Sequence, residues 1–261
     1  MLCWGFGIAL LMLIAFGTAT AAVVTAYASF APLLGFLGSP YAMQTPEGYV
    51  TFRYLETILP VLLSIWTILV GSRLVRGEEE RGTMDVLLAT LQPRVRLLLE
   101  KIAALLLALI VVAVLFALGA VAGEARLGGG HTDFVRALLT GLNLSGVAFF
   151  FGMVALLLSQ LTSSRRVAAG WTSGLLLLSV ILDITGREVS GSWLQYLSPL
   201  YYYNLNRPFI SSFQDQPLAA LLLVGLSVLC IVGSVMLFAS RDIGRPAFAW
   251  WRENAPNKQQ V

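Results

Sequence analysis

Six predominantly apolar tracts of this sequence contain no Asp, Glu, Lys, Arg or His. They run over Met1–Pro46, Thr57–Ser72, Ile102–Gly123, Ala137–Ser164, Val167–Leu182 and Gln216–Ser240. A helix needs roughly 20 mainly apolar residues to cross the hydrocarbon layer of a bilayer. Four tracts exceed this length, and the other two reach it with a few flanking residues. The pattern therefore predicts a protein whose main solvent is lipid.

The tracts predict an all-α integral membrane protein with six transmembrane helices. Unpaired backbone groups are costly in lipid, and no tract alternates as a barrel strand does, so the spans must be helical. We expect them near residues 4–26, 54–74, 101–122, 138–160, 167–184 and 217–239. They form one domain over residues 1–245, followed by a tail over residues 246–261. Only 12% of residues are charged, against about a quarter in soluble domains, so little remains for a soluble domain.

The first tract has a second interpretation, because Ala19-Thr-Ala21 resembles a signal-peptidase site. A signal peptide has a basic n-region and an apolar core of roughly 7–15 residues. Residues 1–26 carry no charge, and their apolar run is longer than such a core. We therefore expect a retained first span.

Lys and Arg are distributed unevenly between the two sides that six spans create. Twelve follow spans 2, 4 and 6, whereas five lie on the opposite side. Basic residues favour the cytoplasmic side of a membrane, so both termini are predicted to be cytoplasmic. The same bias explains the net charge of +3, and we expect no nucleic-acid partner.

A strongly charged segment then falls in the cytoplasm between spans 2 and 3. Residues 76–85 hold six charged side chains, and residues 83–92 have the pattern of a short amphipathic helix. Thr83 is the candidate N-cap, and Pro93 ends the helix. Met84, Leu87, Leu88 and Leu91 form one apolar stripe at i, i+3, i+4 and i+7. Two interpretations remain open here: a solvated loop with an interfacial helix, or a rigid handle with a charged docking rim for a cytoplasmic partner.

The residues from Arg73 to Arg94 resemble the hallmark segment of ABC-2 type transporter permeases. In that family a Glu-Glu-Arg-Gly-Thr run, here Glu79–Thr83, precedes a short Leu-rich helix and a Pro-x-Arg ending. Tyr196-Leu-Ser-Pro-Leu-Tyr-Tyr-Tyr203 and Ser240-Arg-Asp-Ile-Gly244 also resemble the family's outer loop and the end of its last span. The chain is similar to antibiotic and multidrug export permeases over nearly its whole length.

The resemblance implies the membrane subunit of an ATP-binding cassette exporter in a prokaryotic plasma membrane. A short cytoplasmic coupling helix between helices 2 and 3 would dock on a separate ATPase, which would use ATP and Mg²⁺. The implied docking residues are Glu78, Glu79, Glu80, Arg81, Gly82, Thr83, Met84, Asp85, Leu87, Leu88 and Leu91. The resemblance also implies a homodimer or a heterodimer with a second permease half, and an aromatic-rich re-entrant outer segment before helix 6. Family members usually begin with an amphipathic helix before span 1, whereas this sequence starts almost at span 1.

The motifs of common enzymes are missing from the sequence. It has no Gly-x-x-x-x-Gly-Lys-Ser/Thr phosphate loop, no His-Glu-x-x-His and no Gly-x-Ser-x-Gly. His131 is the only histidine, and a metal site needs several ligands. We therefore expect no catalytic residue, no metal site and no cofactor bound by this chain.

Two acids, Glu56 and Asp183, lie near the outer ends of spans 2 and 5. They either anchor the helices at the lipid headgroups or line the outer part of a pathway. Pro60 is expected to kink span 2 near a gate. Tyr201 and Tyr202 belong to an outer aromatic cluster that forms an interfacial belt or contacts substrate.

An ion-gradient-driven secondary transporter is the alternative function. Such proteins usually carry charged or broken-helix sites near the middle of the membrane and repeated halves. The sequence shows no acid in the middle of a span and no convincing repeat. These features favour the ATP-driven exporter.

Overall fold

A computed structural model describes residues 2–30, 41–42, 44–80, 94–125, 133–162, 164–189 and 193–240. The helices within these ranges are α1 (Leu2–Thr18), α2 (Ala21–Phe30), α3 (Pro46–Val50), α4 (Ile58–Gly71), α5 (Arg76–Glu79), α6 (Arg94–Ala125), α7 (Phe134–Leu161), α8 (Arg165–Glu188), α9 (Pro199–Asn204) and α10 (Pro217–Ser240). A π-helical turn covers Thr51–Leu55, and a 3₁₀ helix covers Trp193–Leu197. The described residues contain no strand, as the all-α prediction requires.

Four of the described helices, α6, α7, α8 and α10, are long and apolar enough to cross a membrane. The pair Pro46–Leu55 and Ile58–Gly71 makes a fifth candidate span, bent by 41°. In α1 the apolar run Phe6–Phe16 is shorter than a span. By length and composition these helices indicate a multi-pass helical membrane protein, and the sixth span stays a prediction.

The predicted first span, residues 4–26, is not one continuous helix. The chain leaves helical geometry at Ala19 and Thr20, where the last turn of α1 tightens and the Thr20 N–H donates to the Thr18 carbonyl at 2.9 Å. A new helix, α2, begins at Ala21. Neither proline nor glycine occupies the two broken positions, so no helix-breaking residue at these positions predicts the break.

Helix α7 lies at the centre of the bundle and packs against α4, α6, α8 and α10. Close approach depends on glycine, because a Cβ added at Gly71 would overlap the backbone of Gly152, and one at Gly141 would press on the backbone of Ala113. Small residues let helix backbones approach in this way. A Cβ on Gly146 would meet nothing within 4 Å, so this third glycine of α7 makes no such contact.

Helix α1 runs alongside the C-terminal half of α6. Ala9 lies against Gly119, and Met12 lies against Gly123 one turn further along both helices, so the two helices are parallel. The Phe16 ring also meets Phe209 edge to face, with 5.5 Å between centroids. This contact joins α1 to the segment that precedes α10.

The bend in the second span lies one turn before Pro60. The Glu56 N–H donates to the Thr51 carbonyl at 3.1 Å, which closes the π-helical turn. Thr57 then leaves helical geometry, with φ −133°, and α4 begins at Ile58. Because Pro60 has no N–H, it cannot bond to the Glu56 carbonyl, and its ring crowds that carbonyl. The predicted kink is thus present, displaced by one turn toward the N-terminus.

The two ends of the bundle differ in chemistry. We call the end that carries α5 and the start of α8 the basic end, and the end that carries residues 193–216 the aromatic end. At the aromatic end the chain folds back onto α8, where the Ser198 hydroxyl donates to the Ser179 carbonyl at 2.8 Å. Ser179 lies nine residues before the end of α8, so Ser198 packs alongside α8 and not beyond its C-terminus.

Candidate functional site

At the basic end, Arg76 is buried against the end of α7. Only 3% of the residue is exposed. Its Nε donates to the Ser159 carbonyl at 3.0 Å, and its Nη2 donates to the Thr162 carbonyl at 2.6 Å. The last carbonyls of a helix have no partner within the helix, and a cation is favourable near them. Arg76 therefore caps α7 from another part of the chain.

Glu80, one turn after Arg76, caps the following helix. Its Oε1 accepts the backbone N–H of Arg165 at 3.0 Å, and its Oε2 lies 2.9 Å from Arg165 Nε. A carboxylate is favourable at a helix N-terminus, where N–H groups lack partners. The segment that starts with α5 is thus bound to the end of α7 and to the start of α8.

A third contact joins the turn before α5 to α6. Lys101 Nζ donates to the Leu74 carbonyl at 2.9 Å. Leu74 lies in the turn between α4 and α5. The start of the charged segment therefore contacts the end of α7 and the start of α8, and the turn before it contacts α6.

Only part of the predicted docking surface falls within the described residues. Glu78 and Glu79 belong to α5, and Glu80 follows it. The other members lie outside the described residues: Arg81, Gly82, Thr83, Met84, Asp85, Leu87, Leu88 and Leu91. The amphipathic helix and the docking surface stay predictions. Arg76, expected on a charged rim, is instead buried because it caps α7.

At the aromatic end, Glu56 lies between two arginines from distant parts of the chain. Its Oε2 is 3.1 Å from Arg187 Nη1, and its Oε1 is 2.9 Å from Arg207 Nη1. The Glu56 side chain is 2% exposed. A buried carboxylate needs such compensation, because its desolvation is costly. The two ion pairs hold the bend of the second span against α8 and the segment after α9.

Asp183 belongs to the same cluster. Its Oδ2 lies 2.7 Å from Arg187 Nη2 and accepts the Asn204 Nδ2 at 3.2 Å. Tyr203, the residue before Asn204, donates its hydroxyl hydrogen to the Leu55 carbonyl at 2.9 Å. Burial, and secondarily Glu56, raise the pKa of Tyr203, so its phenol stays protonated.

The structure brings two predicted residues together and corrects one interpretation of them. Glu56 and Asp183 share Arg187, and both are almost completely buried. Buried side chains cannot anchor the helices at lipid headgroups, so that interpretation is wrong. Tyr201 and Tyr202 form a separate aromatic cluster with Tyr196. Its rings meet edge to face, with centroids 5.2 Å apart for Tyr196 and Tyr201 and 5.4 Å apart for Tyr201 and Tyr202.

Sequence reasoning missed four members of this cluster: Arg187, Tyr203, Asn204 and Arg207. Arg187 lies four residues after Asp183 on one helix, which is the spacing of a helical ion pair, so this partner was detectable. The others come from the segment between α8 and α10, and only the folded chain brings them to Glu56. A role in a pathway or gate stays a prediction for Glu56, Pro60, Asp183, Tyr201 and Tyr202.

The described residues contain no group of three or more His, Cys, Asp or Glu side chains that could hold a metal ion. His131 lies outside the described residues. The charged clusters at both ends instead pair opposite charges or cap helices. These contacts hold the helices in position.

Comparison with known families gives a match over nearly the whole chain. Residues 2–243 match the family described as "ABC-2 family transporter protein". Comparison with curated proteins finds no match. Members of the matched family are membrane subunits for transport and are not themselves catalytic. The chain therefore belongs to the ABC-2 family of transporter proteins, as a multi-pass membrane permease that contains the charged run, the buried ion pairs and the apolar helices described above.

Proposed function

We propose that this permease is the membrane subunit of an ATP-driven exporter and that a separate cytoplasmic ABC ATPase drives it. The ATPase would dock on residues 76–94, which we call the coupling segment. The family match supports a permease in general. The resemblance of residues 79–83 to the family's Glu-Glu-Arg-Gly-Thr run supports this docking site.

One observation carries the proposal: Arg76 and Glu80 tie the start of the coupling segment to two long helices. Arg76 caps the C-terminus of α7, and Glu80 caps the N-terminus of α8. A partner that displaces the coupling segment would therefore move both helix ends together. Packed interfaces convert such small shifts into discrete rearrangements. Docking of the ATPase at the basic end would therefore shift α7 and α8, two long helices of the permease.

The basic end would face the cytoplasm. The side that contains the coupling segment carries twelve of the 17 basic residues in the predicted topology. Basic loops favour the cytoplasmic side. With α1 as the first of six spans, both termini would be cytoplasmic, and residues 193–216 would form the outer, re-entrant part.

The ion-pair cluster at the aromatic end would act as the outer gate in this scheme. Glu56 contacts Arg187 and Arg207, so it connects span 2, span 5 and the outer segment. Two permease units would enclose the pathway, as a homodimer or with a related half. Opening toward the outside would require these elements to separate, and the ion pairs would resist that separation until the ATPases close.

The same cluster argues against coupling to an ion gradient. Both acids are compensated by arginine, with Glu56 3.1 Å and Asp183 2.7 Å from Arg187. A carboxylate that loads and releases a cation must exchange partners during transport. Transport from ATP-depleted vesicles that an uncoupler abolishes would contradict an ATP-driven mechanism.

The direct test is copurification with an ABC ATPase, and an ATPase gene beside the gene for this chain would be the first candidate to test. Glu79→Lys combined with Leu87→Asp should abolish copurification, because it reverses charge on the proposed rim and breaks the apolar stripe. Glu47→Lys, at the other end of the bundle, serves as the control and should retain the ATPase. Full retention by the double variant would exclude this docking surface, and wild-type transport without any ATPase would exclude the whole proposal.

A further inference from the structure

A cavity of about 350 Å³ lies between α7 and α10, beneath the segment that precedes α10. Its walls are mainly apolar and include Leu139, Gly146, Leu223 and Val224. Leu139 and Val224 are 48% and 55% exposed, so the cavity opens at the surface of the bundle, on two helices that are long and apolar enough to span a membrane. Its volume lies within the range of about 300–1,000 Å³ typical of small-molecule sites.

The depth of the cavity matches the upper part of one lipid leaflet. Its lining on α10 extends from Pro217, the first residue of the helix, to Val224. Seven residues of helix rise about 10 Å. The cavity therefore reaches from headgroup level into the acyl-chain region.

A carboxylate lies at the mouth of the cavity. Asp215 is exposed and lines the mouth two residues before α10 begins. Its Oδ1 accepts the backbone N–H of Arg207 at 2.6 Å, but the Arg207 guanidinium is directed to Glu56. In the part of the chain that the structure describes, no ion pair includes Asp215. Its negative charge complements a cation from outside the protein.

The inner wall also contains a donor without a partner. Asn206 lines the cavity and is 8% exposed, and its Nδ2 has no hydrogen-bond partner among the described residues. Asn143 fixes the surrounding backbone, because its Nδ2 donates to the carbonyls of Tyr203 and Asn206, each at 3.1 Å. A buried donor without a partner is costly, and an acceptor from a ligand would satisfy it.

We propose that this cavity binds an aminophospholipid of the adjoining leaflet. One acyl chain would occupy the apolar space between α7 and α10, and the protonated amine would pair with Asp215. An ester oxygen would accept from Asn206. The site does not depend on the ATPase partner, so it can fail or hold independently of the proposed function.

Gly146 offers a direct way to fill the cavity. A Cβ added there would meet nothing within 4 Å, so Gly146→Leu is expected to place its side chain in the cavity that Gly146 lines. Gly225→Leu is the matched control, because Gly225 on α10 also has open space and does not line the cavity. Asp215→Asn removes the charge and keeps the oxygen that accepts the Arg207 N–H.

The experiment exchanges the full-length purified protein into equimolar phosphatidylethanolamine and phosphatidylglycerol with identical acyl chains, then counts retained lipids by native mass spectrometry. Wild type should retain phosphatidylethanolamine roughly threefold to fivefold over phosphatidylglycerol, the preference expected for an ion pair at a solvated rim. Asp215→Asn should abolish the preference. Gly146→Leu should lose the retained lipid, whereas Gly225→Leu should keep it.

Equal retention of both lipids by wild type would overturn the proposal, as would full retention by Gly146→Leu. A second comparison needs no variant: N-acetyl phosphatidylethanolamine lacks the cation but keeps the chains and esters. Wild type should retain the unmodified lipid over the acetylated one by the same factor. Equal retention of these two lipids would exclude an amine site at Asp215.

Discussion

The Nη2 of Arg76 lies 2.6 Å from the carbonyl oxygen of Thr162, the residue that follows α7 and caps its C-terminus. The two residues are 86 positions apart in the chain. The guanidinium is buried and also donates to the Ser159 carbonyl. Arg76 therefore fixes the start of the coupling segment to the central helix of the bundle, whatever docks beyond it.

Arg76→Met should destabilise the protein. The substitution keeps much of the apolar stem but leaves the carbonyls of Ser159 and Thr162 without the donors that Arg76 supplies. An unsatisfied buried acceptor costs about 1–3 kcal/mol, so we expect a loss of about 2 kcal/mol or more. Fluorescence-detected size-exclusion chromatography after heating would show a lower melting temperature. Arg73→Met, at an exposed position on the preceding turn, should leave it unchanged, and equal effects would contradict the capping role.

Glu56→Gln should destabilise the aromatic end. The amide keeps the shape but removes the charge that compensates Arg187 and Arg207. Removing one partner from a buried ion pair costs about 3 kcal/mol. The melting temperature should fall by several degrees, and the proposed outer gate of the transport pathway should close less tightly. Glu47→Gln, a half-buried acid in the same segment for which the described structure shows no ion pair, is the control. A similar small effect from both would mean that the Glu56 ion pairs add little.

The positions of the long helices could be predicted because apolar tracts of span length have few other stable forms in lipid. The tract predicted at residues 138–160 is contained in α7, Phe134–Leu161. Helix α6 extends beyond the predicted residues 101–122 to Arg94–Ala125, because polar residues can continue a helix outside the hydrocarbon layer. The break at Ala19 and Thr20 was not predictable, since both residues are compatible with a helix.

The candidate sites were only partly predictable, for a different reason. An acidic residue in or near a membrane span often has a function, so the sequence alone identifies Glu56 and Asp183 as candidates. Their environment depends on Arg207, which is 151 positions from Glu56, and no local pattern joins the two. Arg76 shows the converse: its neighbours in the sequence suggested an exposed rim, whereas its contacts with α7 bury it.

Glu80→Ala should weaken coupling more than Glu80→Gln. Alanine removes both contacts with Arg165, whereas glutamine keeps an acceptor for the backbone N–H. The ion pair itself should add little, because its side chains are 35% and 29% exposed. Losing the cap costs about 1 kcal/mol. ATP-dependent transport in proteoliposomes with the ATPase should decrease in the order wild type, Gln, Ala.

The control for Glu80 is Glu100→Ala. Glu100 pairs with Arg96 within α6 at 2.9 Å, and both side chains are more than half exposed. This substitution removes a surface ion pair without touching the ends of α7 and α8. If it reduced transport as much as Glu80→Ala, general charge loss would explain the effect, and the proposed link through α8 would be wrong.

Gly71→Ala should disrupt the contact between α4 and α7. A Cβ at Gly71 would overlap the backbone carbonyl of Gly152, which is part of a helix and cannot rotate away as a side chain would. Overpacking costs about 1–3 kcal/mol, more than the 0.5–1 kcal/mol that alanine gains over glycine within a helix. Gly170→Ala, where a Cβ meets nothing within 4 Å, should be neutral or slightly stabilising. Melting temperatures of the two variants in one detergent distinguish the cases, because opposite signs are expected from the same chemical change. Stabilisation by Gly71→Ala would mean that α4 and α7 are further apart than this packing requires.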